Sequence, residues 1–273
     1  MPHKIRLNPN NVQATHLARA AGIARFAYNW ALGEWHRQYQ TCLLNPALPK
    51  PNEGALRRQL NAIKRTAFPW MMEVTKCAPQ MAIMQLGRAF ENFFAHRARS
   101  PKFRCKGRDD RFTLSNDQFQ IKDKRIRIPK LGWIRMRESL RFTGHIVSAC
   151  ISRIADHWYL SITVDAPEVR SLPPSENQGA VGVDLGVSNL VTLSTGETFA
   201  GPKAMRRAEK RLRRLSKSLS RKVKGSRNRV KARRKLARHY ARIGNIRHDG
   251  SHQITSSITR RVHTIGIEDL NVK

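Results

Sequence analysis

The sequence is short of acid. Against 52 lysines and arginines stand only 19 aspartates and glutamates, which leaves a formal charge of +33 over 273 residues. A balance this uneven calls for a polyanionic partner, and nucleic acid is the commonest one. Long apolar runs are missing too: no stretch of about 18 such residues exists, which argues against a membrane-spanning helix. The N-terminus, Met1-Pro2-His3-Lys4-Ile5-Arg6, has no apolar segment behind its charges, so a cytoplasmic protein without a secretory signal is expected. The four cysteines, Cys42, Cys77, Cys105 and Cys150, form no C-x-x-C pair. A zinc knuckle therefore has no support, and the four are read as reduced thiols. The ten histidines are read as offering neither an H-x-x-x-H nor an H-E-x-x-H arrangement, so no zinc enzyme and no zinc are expected. His239 and His248 are read as additions to phosphate binding.

The chain does have enough apolar residues, at 40%, to bury real cores, and its length allows two domains. Its charge is concentrated. Residues 201–250 carry 20 basic and 2 acidic side chains, more than half of the whole excess within fifty residues. Self-repulsion on that scale needs a countercharge, and a phosphate backbone supplies one, with counterion release as the driving force. A solvated basic face is the plainer alternative.

Periodicity gives an outline. Lys4-Ile5-Arg6-Leu7 alternates as a short strand should, and Asn8-Pro9-Asn10-Asn11 breaks it and offers an N-cap. From Val12 to Tyr39, Leu17, Ala20, Ala24, Ala27, Ala31 and Trp35 recur at threes and fours, a helical stripe. Prolines mark a loop over 45–52. A second helix carries Leu56, Leu60 and Ile63, and a third spans about Pro79 to Arg99. Beyond Pro101 the pattern changes to alternation. Gln118–Ile121 and Arg125–Ile128 form one hairpin, Trp133–Met136 continues it, and Ile146–Ile154 with Trp158–Val164 forms another. This region reads as a small antiparallel sheet or barrel. Pro173-Pro174 marks a boundary. After it come an apolar strand over 180–186, a second over 190–193, two basic helices separated by Gly225-Ser226, and a buried strand over 264–270 ending in acids.

The chemistry rests on carboxylates. Asp184 ends one apolar strand before a glycine turn, and Glu268 ends another 84 residues later. Carboxylates on neighbouring strand ends can share a hard divalent cation such as Mg²⁺, which keeps several waters and takes substrate phosphates to complete its shell. An Asp in Val-Asp-Leu-Gly can equally be a turn residue, and Glu268 a surface cap. Asp269 is a poor substitute ligand, because adjacent strand residues point to opposite faces. Trp30, Trp35, Phe90, Phe93 and Phe94 could stack on bases, although their helical spacing reads as core.

Five segments resemble one family in its own order: the TnpB (OrfB) proteins encoded by bacterial insertion sequences. Gly182-Val183-Asp184-Leu185-Gly186-Val187 is similar to their first RuvC motif, and Ile265-Gly266-Ile267-Glu268-Asp269-Leu270-Asn271-Val272-Lys273 to their second. Arg25-Phe26-Ala27-Tyr28-Asn29-Trp30-Ala31-Leu32 resembles their N-terminal helical signature, and Lys4–Leu7 their opening strand. Arg233–Arg238 with Ile243–Arg247 resembles their basic segment.

The resemblance implies an α+β and α/β chain. Residues 1–10 and 100–170 would form a small wedge-like β-barrel, interrupted by a helical recognition insertion over 11–99. A linker over 171–178 would lead to an incomplete RNase H-like (RuvC) domain over 179–273 with an arginine-rich helical hairpin. It further implies an RNA-guided DNA endonuclease of prokaryotic cells, associated with the nucleoid. Its guide RNA would come from the transposon end and its target would be double-stranded DNA, with no membrane partner. Asp184 and Glu268 would be catalytic and bind Mg²⁺. Nucleic-acid contacts are expected from Arg57, Arg58, Lys64 and Arg65, and from Arg206, Arg207, Arg211, Arg213, Arg214, Arg221, Lys222, Arg227, Arg229, Arg233, Arg234, Lys235 and Arg238. Members of the family continue past the second motif into a zinc ribbon and a third RuvC aspartate, whereas this sequence stops at Lys273. An underfilled metal site and impaired catalysis are therefore expected. The alternatives are a nuclease-dead regulator and a mobile-element fragment with generic nucleic-acid binding.

Overall fold

The structure, a computed structural model, describes residues 2–141, 144–165 and 179–268. The chain divides into two compact units, Met1–Pro167 and Glu168–Lys273.

In the first unit, strand β1 (Pro2–Asn8) leads into helix α1 (Asn11–Leu44). Asn10 Oδ1 accepts from the Gln13 backbone N–H at 2.8 Å, and Gln13 Oε1 accepts from the Asn10 N–H at 3.1 Å. This reciprocal box satisfies amides that the first helical turn would otherwise leave unpaired. All six stripe residues from Leu17 to Trp35 are buried. Four of them are alanines, which lets α3 (Cys77–Phe94) lie against α1, and Trp35 stacks flat on Phe90 at 4.0 Å. Between them α2 (Glu53–Ile63), capped by Asn52, buries Leu56 and Leu60. A Cβ on Gly87 would lie 2.8 Å from Glu53 Cβ, so the α2–α3 crossing depends on glycine there. The third helix ends at Phe94 rather than near Arg99, because His96 takes a left-handed turn (φ 56°). Phe94 itself is exposed, unlike Trp35 and Phe90.

Seven strands complete this unit: β1, β2 (Arg111–Ser115), β3 (Gln120–Lys122), β4 (Arg125–Ile128), β5 (Gly132–Met136), β6 (His145–Ile154) and β7 (His157–Asp165). They form an antiparallel sheet in the order β2-β6-β7-β1-β5-β4-β3. The opening strand is central. Ile5 pairs with Leu160 of β7, and Leu7 with Met136 of β5. The three helices are thus inserted between two strands of one sheet. Alternate residues Ile126, Ile128, Ile134, Met136, Leu160, Ile162 and Val164 face the core, as the period of two requires. Strand β2 went unread in the sequence, being only five residues with three consecutive buried positions instead of an alternation.

The second unit has strands β8 (Ala180–Asp184), β9 (Val191–Leu193) and β10 (Thr198–Phe199), then helices α4 (Ala204–Ser220) and α5 (Arg227–Arg261), then β11 (Thr264–Ile267). The sheet order is β10-β9-β8-β11, with β11 parallel to β8 and the other pairs antiparallel. Its core is small: Val181, Val191, Leu193, Ile258 and Val262. One expectation is corrected here. Strand β11 is exposed throughout its length, with Ile267 at 68% of its free surface, because β11 is an edge strand with a single partner among the described residues. Asp269, Leu270 and the 171–178 boundary lie outside the described residues.

Candidate functional site

Register brings the two carboxylates together. Ile267 of β11 pairs in parallel with Val183 of β8. One step further along each strand come Glu268 and Asp184. Neighbouring strands lie about 4.8 Å apart, so the two backbones leave the sheet side by side, at its carboxyl edge. Open α/β sheets commonly bind ligands at that edge. Val181 and Val183 turn toward the small core, so alternation puts Ala180, Gly182 and Asp184 on the opposite face, with Thr264, Gly266 and Glu268 beside them. Both carboxylates are exposed. Behind them on that face are two glycines in register, Gly182 and Gly266, with the Ser194 hydroxyl accepting from the Gly182 N–H at 3.0 Å. Thr192 of β9 pairs with Asp184 and puts a hydroxyl-bearing residue on the other flank, a neighbour the sequence reading missed.

The turn after Asp184 is constrained. A Cβ on Gly186 would lie 2.8 Å from the Asn189 carbonyl oxygen, a contact that only glycine avoids. Asp184 is therefore held by a strand on one side and a tight turn on the other. As donors, a pair of carboxylates fits a hard cation that retains waters. The described residues hold no grouping of three His, Cys, Asp or Glu side chains that could bind a metal ion.

The basic residues are arranged mostly as solvent-facing rows. Helices α4 and α5 pack on each other along a half-buried stripe that includes Ala208, Leu212, Leu215 and Leu219 of α4. Arg206, Arg207, Arg211, Arg213 and Arg214 of α4 are exposed, as are Arg221 and Lys222 in the turn. Arg227, Arg233, Arg234, Lys235 and Arg238 of α5 are exposed as well. Arg229 is turned inward. It donates to the carbonyls of Leu219 (3.2 Å) and Lys222 (2.9 Å), capping the end of α4. His239 also sits inside the hairpin, 3.3 Å from the Ala208 carbonyl, so it joins the two helices and does not face a phosphate. In the first unit Arg57 is half-buried beside Glu53 (3.4 Å) and Lys64 donates to Asn61 (2.7 Å), while Arg58 and Arg65 are exposed. The histidine reading needs a correction: His248 and His252 are four apart on α5, with ring centroids 4.3 Å apart. That spacing lacks the glutamate of a zinc-enzyme helix but does put two imidazoles on one face.

A second cationic cluster, around Arg104, was not read from the sequence. Its guanidinium lies 3.7 Å from the Tyr28 ring centre and donates to Gln85 at 3.0 Å. Burial disfavours its charge and also raises the Tyr28 hydroxyl above the ordinary tyrosine range. The alternation of Lys102, Arg104, Lys106 and Arg108 was the available signal.

Comparison with known proteins agrees with the ordered motifs. Residues 160–273 match a family model, OrfB_IS605, described as "Probable transposase", and residues 2–42 match HTH_OrfB_IS605, described as "Helix-turn-helix domain". A protein of Streptomyces pristinaespiralis described as "Putative RNA-guided DNA endonuclease" is 32% identical over 99% of this chain and 67% of its own length. The chain belongs to the TnpB/OrfB family. "Putative RNA-guided DNA endonuclease InsQ" of Escherichia coli (strain K12) is 34% identical over 98% of this chain and 66% of its own length. The chain thus spans about two thirds of the length of these family members. Among solved structures, a CRISPR-Cas12f ternary complex overlaps 93% of this chain and 62% of the other at 12% identity, with a TM-score of 0.39, too low to establish a shared fold. Within the segment matched as helix-turn-helix, the structure holds one strand and most of one long helix.

Proposed function

We propose that this chain is a transposon-encoded, RNA-guided DNA-binding protein of TnpB type. In this reading residues 1–10 and 100–170 act as a wedge-like barrel, 11–99 as the recognition insertion, and 179–273 as a RuvC-like nuclease domain reached through a linker over 171–178. The exposed arginines of α4 and α5 follow the backbone of a transposon-end guide RNA or its heteroduplex. Base pairing then reads the DNA target, and the protein reads a short adjacent motif.

The observation that carries the proposal is the parallel pairing of Ile267 with Val183, one residue before Glu268 and Asp184 respectively. Those two side chains would hold Mg²⁺, which when bound supplies an activated water and stabilises the leaving oxygen in phosphodiester cleavage. The chain's own part is to keep both carboxylates on one face of the sheet, Gly186 fixing the turn behind Asp184. Among the described residues no third carboxylate joins these two, so in this reading cleavage is slow.

A second reading, a regulator that occupies DNA without cutting it, is favoured by the lack of a third grouped ligand among the described residues. Two measurements test the pair. Sequencing the RNA that co-purifies with the protein should give a discrete species with a fixed scaffold and a variable end. A heterogeneous pool that washes off in salt would remove the guided reading. Incubation with a guide-matched duplex and Mg²⁺ should give slow cleavage that Asp184→Ala abolishes. Stable binding with no cleavage in either protein would favour the regulator.

A further inference from the structure

The loop after α3 forms a cleft of about 490 Å³ with Tyr28, Gln85, Lys102, Phe103, Arg104 and Arg108 in its lining, together with Asp109 and Arg111. That volume is in the range of small-ligand sites, about 300–1,000 Å³. Four cations face one carboxylate, and that carboxylate is already engaged: Asp109 Oδ2 accepts from the Cys105 N–H at 2.9 Å. Lys102, Arg108 and Arg111 are exposed, and none is in an ion pair among the described residues. Phe103 is 55% exposed, with basic residues on either side in sequence and the His36 ring edge-on at 6.4 Å.

The loop is braced, which separates it from an ordinary charged tail. The Asn29 side chain accepts from the Arg104 N–H (2.8 Å) and donates to the Arg104 carbonyl (2.9 Å). Arg25 pairs with Asp110 at 2.8 Å with both side chains largely buried, and Asp110 also accepts from the Gly107 N–H (3.1 Å). Arg25, Tyr28 and Asn29 therefore fix the loop in place. A site fixed in advance loses little ordering entropy on binding.

We propose that this cleft binds one unpaired nucleotide, with the base stacked on Phe103 and the phosphate held by Lys102, Arg108 and Arg111. The proposal rests on the nucleic-acid reading above and names a contact outside the carboxylate pair and the helical hairpin. A duplex keeps its bases stacked inside and cannot offer one to a concave site. A single strand can, and aromatic stacking is tolerant of sequence because every base has a π-face.

The test uses the full chain, freed of co-purified nucleic acid in high salt, with labelled poly(U) RNA, poly(dT) DNA and a mixed-sequence duplex followed by anisotropy. Phe103→Ala should weaken single-strand binding about tenfold without changing the slope of log affinity against log salt, because stacking releases no counterion. Arg108→Gln should lower that slope by about 0.7, one phosphate contact on a single strand. Duplex affinity should stay within about twofold for Phe103→Ala. Loss confined to RNA would assign the nucleotide to RNA, and loss confined to DNA to a DNA strand. Unchanged single-strand binding in both variants, or an equal loss on duplex, would overturn the proposal while leaving the broader reading in place. A parent chain that binds none of the three probes at low salt would overturn both. Because Phe103 and Arg108 are exposed, unfolding midpoints should match the parent chain and exclude misfolding as the cause.

Discussion

His16, half-buried on α1, shows how the positive charge of this chain acts on a single group. Burial is the main reason its imidazole is pushed below the ordinary histidine range, and Arg19 and Lys130 push it further, with Glu73 partly opposing them. Its Nε2 is buried without a hydrogen-bond partner. As pH falls below about 6.5, the unfolded chain takes up a proton at this position that the folded chain resists. The unfolded state then binds more protons, so this group's contribution to stability is complete above that pH and declines as pH falls through the lowered folded value. We expect the unfolding midpoint to drop between about pH 7 and pH 5, with a smaller drop in His16→Gln. Scans of both proteins across that interval decide the matter, and equal slopes would assign the drop to another group.

At the scale of elements, the α2–α3 crossing gives the clearest stability prediction. Because a Cβ on Gly87 would meet the stem of Glu53, not its flexible end, Gly87→Ala must push two helices apart. Overpacking of this kind costs about 1–3 kcal/mol, more than the gain in helix propensity from replacing glycine. The urea midpoint should therefore fall, and a rise would mean the crossing relaxes freely. The elements best read from sequence are those whose period is set by one buried face. The stripe of α1 and the alternation of β4, β5 and β7 are of this kind. Where burial is weak the pattern fails. Helix α5 runs on to Arg261, yet its interior positions are few, with only Ile243 and Ile258 buried, so its second half had no stripe to read. The apolar run of β11 looked like a core strand, but burial on both faces needs neighbours on both sides, and that is a property of sheet order. The placement of Asp184 and Glu268 at the ends of strands was legible, because each follows an apolar run, but that pattern alone does not mark them as ligands. The Arg104 cleft was not legible, because Asn29 and Arg104 are 75 residues apart in sequence. The His248–His252 pair was present at helical spacing and was overlooked.

For the whole molecule, the contrast between the two units carries the last prediction. The first is built on a continuous core from Ile5 to Val164, while the second gathers only five buried apolar side chains into a core among the described residues. Helix α4 buries only Ala204, and its arginines repel one another across exposed turns. Helical hairpins of this sort draw stability from whatever neutralises them. A ligand that binds only the folded form stabilises it by mass action, and a polyanion does so through counterion release. Amide hydrogen exchange should therefore be fast in α4 and the first half of α5 in the nucleic-acid-free chain. It should slow on addition of RNA, and speed up again as salt rises from about 0.05 to 0.2 M, the span over which phosphate contacts lose most of their affinity. Exchange in α1 and α3 should stay slow under all three conditions, because their protection comes from buried apolar contacts that salt does not screen. Slow exchange in α4 without RNA would show that the hairpin is stable by itself, and would make its arginines a preformed surface that the nucleic acid finds ready.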